Sequence, residues 1–237
     1  MNVALLTAAG HSTRMGQDIP KQFMHVENKP LIIHTMEAFQ KHPAIDAIMV
    51  VTLSSWEEVI KAYASQFNVT KLRWIVTGGE TGQESITNGL KKLSGEISPY
   101  DAVMIHDGNR CCVSQEIISD SIAVYRQYGG AVAAIPCTEA VFESQDGKTS
   151  TVSIPRDKLF RTQTPHTFPL GKLIWAYTEV RKLGITNAVA ACTVMQYLGE
   201  TIHFSAGSEK NIKLTTVEDI DIFKALLMAG KSDWQRD

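Results

Sequence analysis

A loop of small residues, followed by two cations, comes directly after the first apolar run of the chain. Ala8, Ala9 and Gly10 form this loop, and Arg14 and Lys21 follow it. Small residues allow backbone N–H groups to approach phosphate oxygens, and two cations can neutralise charge on a transferring phosphoryl group. Because the pattern is neither GxxxxGK[ST] nor GxGxxG, it argues against a P-loop ATPase and against a nicotinamide site. From spacing alone, a glycine turn with two solvated cations stays an alternative.

The elements that must position this loop are short apolar strands that alternate with helices. Apolar runs cover residues 1–7, 47–52, 72–76, 102–106 and 131–135, and helical spacing covers residues 31–40, 56–66, 84–93 and 116–128. This alternation predicts βαβ units, since a parallel strand needs a helical crossover to return. We therefore expect an α/β fold with a doubly wound, mostly parallel sheet, Rossmann-like in form. The loops after such strands form the ligand crevice, which places residues 8–10 and Asp107 there.

A polar segment interrupts this rhythm between Pro136 and Arg156. Its β-prone residues flank the turn signal Gln145-Asp146-Gly147, which predicts a hairpin projecting from the sheet. A two-stranded ribbon is marginal alone in water, so we expect this arm, at about residues 136–156, to pack on a second subunit and form a homodimer. Helices at 173–183 and 188–198, strands at 202–206 and 212–214, and a final helix capped by Thr216 complete the expected order.

Length and composition fit one domain, residues 1–237, with a sizeable core. The chain is 44% hydrophobic and carries 23 Lys and Arg against 25 Asp and Glu, so no global basic field favours nucleic acid or an anionic membrane. We expect no export signal and no membrane span. The four cysteines, Cys111, Cys112, Cys137 and Cys192, lack CxxC spacing, which favours free thiols in a reducing cytoplasm.

Five motifs in order give the chain a resemblance to a known family. The first is A-A-G-x-x-x-R-M-G-x-x-x-P-K-Q-F at residues 8–23. The others are Gly78-Gly79-Glu80 with Ser85, Ile105-His106-Asp107 with Arg110, Gln163-Thr164-Pro165, and Asn211-Ile212-Lys213. Together they resemble the 2-C-methyl-D-erythritol 4-phosphate cytidylyltransferase family, which includes ribitol-5-phosphate cytidylyltransferases. The resemblance covers nearly the whole chain and implies CMP transfer from CTP to a small polyol phosphate, with release of pyrophosphate.

The resemblance also implies catalytic and metal-binding roles. Arg14 and Lys21 would be the catalytic pair, because charge accumulates on the α-phosphate oxygens as the acceptor phosphate attacks. Asp107 would bind Mg²⁺, which one or two carboxylates plus phosphate oxygens commonly hold. His106 is expected to be structural, because an attacking phosphate anion needs no general base. A covalent nucleophile is not expected, since Ser85 lacks the GxSxG elbow.

Binding roles follow from the same resemblance. The nucleotide-binding residues would be Ala8, Ala9, Gly10, Gly79, Glu80, Ser85 and Lys213. The substrate-binding residues would be Asp107, Arg110 and Arg156, and the family precedent places Arg156 in the neighbouring subunit's site. Each long cation has an alternative interpretation as a solvated surface group.

Several positions depart from the family pattern, and most of them lie on the acceptor side. Ser12 and Gly82 replace a usual Gly and Arg near the nucleotide, and Asn109 changes polarity beside Asp107. Glu139-Ala140 replaces an Asp-Thr pair in the arm, and Val189-Ala190-Ala191 replaces a Thr-Asp-acidic segment. The leading acceptor is 2-C-methyl-D-erythritol 4-phosphate, in isoprenoid biosynthesis, and the alternative is D-ribitol 5-phosphate, for surface polysaccharide. A catalytically silent nucleotide-binding paralogue is a third possibility.

Overall fold

The loop of residues 8–10 leaves a seven-stranded sheet in a computed structural model that describes residues 1–10, 19–188 and 190–233. The strands are β1 (Asn2–Ala8), β2 (His25–Val26), β3 (Lys29–Pro30), β4 (Ala47–Thr52), β5 (Leu72–Thr77), β6 (Ala102–Asp107), β7 (Ala131–Pro136), β8 (Val141–Glu143), β9 (Val152–Ile154), β10 (Phe160–Pro169) and β11 (Phe204–Ala206). The helices are α1 (Leu31–Lys41), α2 (Glu57–Gln66), α3 (Gly82–Ser94), α4 (Gln115–Tyr128), α5 (Leu170–Lys182), α6 (Ala191–Tyr197) and α7 (Val217–Asp233). Within these ranges no helix is both long enough and apolar enough to cross a membrane.

The main sheet has the strand order β11-β7-β10-β6-β1-β4-β5. Strand β1 lies between β4 and β6 and runs parallel to both, with Leu5 opposite Met49 and Ile105. The chain winds outward from β1 to β4 and β5, and then returns to the other side of β1 at β6. The sheet is therefore doubly wound and mostly parallel, and the predicted α/β fold class is confirmed.

Alternating side chains of β1 supply both halves of the core. Val3 and Leu5 join the cluster formed with α3, α5 and α6, while Ala4 and Leu6 join the cluster formed with α1, α2 and α4. All four side chains are fully buried, and burial of one leucine stabilises the fold by about 1.5–3 kcal/mol. The strand is thus fixed on both faces, which holds the following loop at a defined place.

Strand β10 is not predicted by the apolar pattern. Its sequence, residues 160–169, is polar and contains two prolines, and proline inside a run normally argues against a strand. It nevertheless runs antiparallel between β6 and β7. The register with β7 shifts between Thr162 and His166, which accommodates the intervening Pro165.

The predicted strand at residues 212–214 is wrong. This segment pairs with a loop instead, because Leu214 donates its N–H to the Asn109 carbonyl at 3.0 Å and Asn109 Nδ2 donates to the Leu214 carbonyl at 2.6 Å. The Leu214 side chain packs with Ile220 and Phe223 of α7. Its apolar character thus serves a small core cluster and not a sheet.

The arm is a hairpin of β8 and β9, as predicted. Val141 pairs with Ile154 in antiparallel register. In the turn, the Asp146 carboxylate accepts backbone N–H bonds from Lys148 and Thr149 at 2.9 and 2.8 Å. The hairpin buries little of its own apolar surface, since Phe142 and Val152 are 59% and 50% exposed.

Candidate active site

A cleft of about 470 Å³ opens at the carboxyl ends of β1 and β6. These two strands flank the point where the winding of the sheet reverses, which is where open α/β sheets bind ligands. The lining comes from the loops that follow β1, β5 and β6, from the middle of β10, and from Lys213. Segments far apart in sequence therefore share one cavity.

The loop after β1 is tied down by a buried glutamine. Gln22 Nε2 donates to the Ala8 carbonyl at 2.7 Å and lies 3.2 Å from the Gly10 carbonyl, and Gln22 is 3% exposed. The neighbouring Phe23 stacks on Trp56, with ring centroids 3.9 Å apart. These contacts anchor the short 3₁₀ turn that begins at Lys21, and Lys21 lines the cleft.

Gly78 allows the loop after β5 to approach this first loop, and Gly79 allows it to approach the start of α3. A Cβ on Gly78 would lie 2.3 Å from Ala9 Cβ, and a Cβ on Gly79 would lie 2.4 Å from Glu84 Cβ. The Gly79 N–H donates to Ser85 Oγ at 3.1 Å. Ser85 is buried, and its hydroxyl thus fixes the backbone of the loop at the cleft.

The start of α3 completes this wall. Thr81 is the N-cap, and its hydroxyl accepts the Glu84 N–H at 3.1 Å. Glu84 in turn accepts the Glu80 N–H at 2.9 Å. Gly79 and Glu80 are therefore held by the helix start, and both line the same cavity as residues 8–10.

Asp107 sits between two cations on the other side of the cleft. Its Oδ2 accepts from Arg110 Nε at 2.9 Å, and its Oδ1 accepts from Lys213 Nζ at 2.9 Å. Burial alone would raise the pKa of Asp107, but the charges of Lys213 and Arg110 outweigh burial and lower the pKa to about 2. The carboxylate is therefore ionised at neutral pH.

His106 is a buried residue that contacts two members of the network around Asp107. Its Nε2 lies 3.2 Å from the Arg110 carbonyl, and its Nδ1 lies 3.1 Å from Thr164 Oγ1. Since a carbonyl can only accept, the network places the proton on Nε2 and makes Nδ1 the acceptor. Burial lowers the pKa of His106 to about 4, so the ring is neutral and structural, as predicted.

Thr164 and Asn211 close the network around Asp107. Thr164 Oγ1 accepts the Asp107 N–H at 3.0 Å. Asn211 Nδ2 donates to the main-chain carbonyl of Thr164 at 2.9 Å. The main-chain carbonyl of Asn211 accepts from Arg110 Nη1 at 2.7 Å. Sequence reasoning assigned no role to Gln22, Asn109, Thr164 or Asn211, although the first, third and fourth lie inside quoted motifs.

The structure brings most of the predicted site residues together. Those that line the cleft are Ala8, Ala9, Gly10, Lys21, Gly79, Glu80, Ser85, Asp107, Arg110 and Lys213. Arg156 is not among them, and its Nη1 donates to the Thr138 carbonyl at 2.5 Å at the base of the arm. Arg14, Ser12 and Val189 lie outside the described residues. Of the departures, Gly82, Asn109, Ala190 and Ala191 line the cleft.

The donor set of the cleft suits a metal held mainly by its substrate. Among the residues that the structure describes, no group of three His, Cys, Asp or Glu side chains could hold a metal ion. Asp107 offers one ionised carboxylate with hard oxygen ligands. Mg²⁺ usually takes only one or two protein carboxylates and completes its shell with phosphates and water, so this single carboxylate fits it.

Comparison with known proteins identifies the family. The profile of the IspD family, 2-C-methyl-D-erythritol 4-phosphate cytidylyltransferase, matches residues 2–229. The chain belongs to this family. As a 2-C-methyl-D-erythritol 4-phosphate cytidylyltransferase family member, it is a nucleotidyltransferase of the cytidylyltransferase type.

Relatives of the chain carry two different names within the family. A ribitol-5-phosphate cytidylyltransferase of Lacticaseibacillus paracasei is 40% identical over 229 residues, which cover 96% of this chain and 98% of the relative. A 2-C-methyl-D-erythritol 4-phosphate cytidylyltransferase of Alkaliphilus oremlandii is 33% identical and covers 94% of this chain and 93% of the relative. A crystal structure of 4-diphosphocytidyl-2C-methyl-D-erythritol synthase matches with a TM-score of 0.80 at 25% identity, over 95% of this chain and 98% of that chain.

Proposed function

We propose that the chain transfers CMP from CTP to D-ribitol 5-phosphate and releases pyrophosphate. The observation that carries the transfer of CMP is the cleft itself, where residues 8–10 share a cavity with the cluster of Asp107, Arg110 and Lys213. The choice of acceptor rests on sequence similarity. Backbone N–H groups and small residues suit the triphosphate, and the cations suit the phosphate of the acceptor. Both substrates thus find complementary chemistry in one cavity.

The reaction is an in-line exchange at the α-phosphorus of CTP. An oxygen of the acceptor phosphate forms the new bond, and the bond to the bridging oxygen breaks as pyrophosphate leaves. Negative charge grows on the α-phosphate oxygens, which Lys21 and, by the resemblance, Arg14 would stabilise. The acceptor is already an anion, so the neutral ring of His106 holds Arg110 and Thr164 in place and transfers no proton.

The Asp107 carboxylate would hold Mg²⁺. Bound there, Mg²⁺ would neutralise phosphate oxygens of CTP and help to orient them. Asp107 would then share its charge among the metal, Arg110 and Lys213. Lys213 is the most exposed of the three side chains, at 44%, and is therefore the one best placed to move from Asp107 to a substrate phosphate.

Sequence similarity favours the pentitol phosphate as acceptor. The relative from L. paracasei, named for ribitol 5-phosphate, is 40% identical, against 33% for the relative from A. oremlandii. The second candidate is 2-C-methyl-D-erythritol 4-phosphate, which the names of the family and of the relative from A. oremlandii contain. Both acceptors carry one phosphate and several hydroxyls, so the same anion-binding cluster serves either.

We also propose that each chain is a single domain and that two chains form a homodimer through the arm. Phe142 and Val152 expose apolar surface on the hairpin, and Arg156 at its base does not line the cleft of its own chain. These features support an arm that packs on a partner and delivers Arg156 to the partner's cleft. The four free thiols support a reducing, cytoplasmic environment.

Product formation from a panel of acceptors tests the proposed function. Purified protein with CTP and Mg²⁺ is incubated with D-ribitol 5-phosphate, 2-C-methyl-D-erythritol 4-phosphate or xylitol 5-phosphate, and CDP-polyols are measured by mass spectrometry. We expect the highest kcat/KM with D-ribitol 5-phosphate. A higher value with the erythritol phosphate would contradict the proposed acceptor, and no product with any acceptor would favour a silent nucleotide-binding protein.

A further inference from the structure

Lys213 reaches the cleft from a segment without regular secondary structure. The described residues 207–216 lie between β11 and α7 and form neither a helix nor a strand. In a helix or a strand, a ladder of main-chain hydrogen bonds fixes the place of each side chain, and this segment has no such ladder. Other groups must therefore hold Lys213 beside Asp107, where its Nζ lies 2.9 Å from Oδ1.

Asn109, in the loop after β6, holds one end of this segment. Its Nδ2 donates to the main-chain carbonyl of Leu214 at 2.6 Å, and the Leu214 N–H donates to the main-chain carbonyl of Asn109 at 3.0 Å. The two residues thus exchange two hydrogen bonds, as a hydrogen-bonded pair does in an antiparallel sheet. Here a side-chain amide takes the place of one main-chain N–H.

This pair of hydrogen bonds is buried. Asn109 and Leu214 are both buried, and the Leu214 side chain packs with Ile220 and Phe223 of α7. A buried carbonyl that loses its donor is unfavourable, so removal of the Asn109 amide favours movement of the Leu214 main chain away from the loop. Lys213 is the next residue and would move with it.

The other end of the segment is held two residues before Lys213. Arg110 Nη1 donates to the main-chain carbonyl of Asn211 at 2.7 Å, and Asn211 Nδ2 donates to the main-chain carbonyl of Thr164 at 2.9 Å. Lys213 therefore lies between two fixed points of the main chain. Because the Lys213 side chain is long and half-exposed, its place in the cleft depends on both points, and Asn109 supplies the second.

We propose that Asn109 is a positioning residue that fixes Lys213 at the cleft, so that Lys213 meets a substrate phosphate in a defined place. The Asn109 amide acts on Lys213 through the main chain of Leu214. The inference rests on the proposed role of Lys213 in binding a substrate phosphate, and not on which polyol phosphate accepts the CMP.

A double-mutant cycle in steady-state kinetics tests this coupling. KM for CTP and for the best polyol phosphate is measured with Asn109→Ala, Lys213→Ala and the double variant. We expect Lys213→Ala to raise KM for the substrate that it binds by about tenfold or more, because a charge-assisted hydrogen bond is lost. Asn109→Ala should raise KM for the same substrate by about threefold or more, since Lys213 then occupies its place for only part of the time, with kcat nearly unchanged.

The double variant separates positioning from general destabilisation. If Asn109 acts through Lys213, Asn109→Ala adds nothing to the effect of Lys213→Ala. Gln115→Ala is the matched control, because Gln115 Nε2 donates to the main-chain carbonyl of Ala38 at 2.8 Å and neither residue lines the cleft. It removes the same kind of bond and should leave KM unchanged. Additive increases in KM, or no increase with Asn109→Ala, would overturn the inference.

Labelling of lysine amines gives a readout that does not depend on turnover. The free enzyme is treated with N-acetoxysuccinimide, and acetylation of Lys213 relative to the exposed Lys61 is measured by peptide mass spectrometry. In Asn109→Ala this ratio should rise by at least about twofold, since Lys213 leaves Asp107 for part of the time. An unchanged ratio would overturn the inference. Should Asn109→Ala fail to fold, Asn109→Leu keeps a branched side chain without a donor and replaces it.

The two readouts also distinguish this inference from the proposed function. If wild type forms no CDP-polyol with any acceptor, the proposed function fails, and the labelling ratio alone decides whether Asn109 positions Lys213. If wild type is active and the ratio and KM stay unchanged in Asn109→Ala, the inference fails and the proposed function stands.

Discussion

The two sides of the cleft differ in composition: one is mainly main chain, and the other consists of charged side chains. On one side, residues 8–10 and 79–80 line the cleft. Gly78 sets how closely this second loop packs on the first, and Gly79 sets how closely it packs on the start of α3. On the other side, Asp107, Arg110 and Lys213 present charged side chains linked at 2.9 Å. The first side depends on close packing of its loops, so we expect it to be sensitive to added atoms. The second side depends on balanced charges, so we expect it to be sensitive to the loss of a charge.

Lys21 gives the largest expected effect, because it is a cation on the main-chain side. We expect Lys21→Ala to lower kcat by about 100-fold or more, since losing one group that stabilises transition-state charge typically costs about 2.7–4 kcal/mol. Steady-state kinetics measure this. Lys61→Ala, at an exposed lysine paired with Glu58, is the control. A folded Lys21→Ala protein with near-normal kcat would exclude the assigned role.

Mixing two variant subunits tests whether Arg156 acts in the cleft of its own chain or in that of a partner. Lys21→Ala and Arg156→Ala proteins should each be inactive alone. If Arg156 acts in the partner's cleft, a mixed dimer has one site with both substitutions and one with neither, so activity should return toward half of wild type per mixed dimer. In the alternative, each site carries one substitution, and verified subunit exchange would restore nothing.

Removal of one charge tests the second side directly. Asp107→Asn keeps the shape but leaves Arg110 and Lys213 without their carboxylate, so we expect activity to fall by about 30-fold or more, since removing one partner of a hydrogen-bonded charge pair in a binding site costs about 2 kcal/mol or more. The Mg²⁺ concentration for half-maximal activity should rise. An unchanged Mg²⁺ dependence would mean that the metal is held elsewhere.

Addition of one methyl group tests the main-chain side. Gly78→Ala would place a Cβ 2.3 Å from Ala9 Cβ, so we expect about 1–3 kcal/mol less stability and a higher KM for CTP. Gly95→Ala is the control, since the nearest atom to its added Cβ, the Lys92 carbonyl oxygen, lies 3.9 Å away and Gly95 does not line the cleft. It should be neutral in urea unfolding and in kinetics. Equal behaviour of the two variants would show that loop packing does not shape the site.

Acid should destabilise the fold through the two buried histidines of the cleft. The pKa values of His106 and His166 are lowered by burial to about 4 from 6.5, so both rings are neutral in the folded state. As the pH falls from 6.5 toward 4, the unfolded chain takes up protons that the folded chain does not, and stability is lost, by about 3 kcal/mol per ring in full. The pKa of Asp107, about 2, extends the loss below pH 4.

Urea unfolding at pH 7, 6, 5 and 4.5 measures this slope. His166→Leu should make the slope shallower, because one buried ring is then absent, while His106 and the lowered pKa values of His34 and His42 keep part of it. A free energy of unfolding that stays constant over this range would contradict the effect of burial on both rings.

The sequence predicts those elements whose signal is local, and it misses those that depend on residues far away in the chain. Strands β1, β4 and β6 are predictable because burial on both faces leaves a continuous apolar run. Strand β10 and residues 212–214 are not, because their pairing depends on partners far along the chain. In the same way, Lys21 and Asp107 carry a recognisable motif, whereas Gln22 and Asn109 act through backbone carbonyls that only the fold brings near.

Strand β10 also connects the hairpin arm to the cleft. The arm ends at Arg156, and only six residues later Thr162 lines the cleft, with Thr164 bonded to both His106 and Asp107. A short 3₁₀ turn and strand β10 thus connect the hairpin to the groups around Asp107. If the hairpin packs on a second chain as proposed, that contact would hold β10 and Thr164 in place beside Asp107, and specific activity should then decline at protein concentrations low enough to separate the two chains.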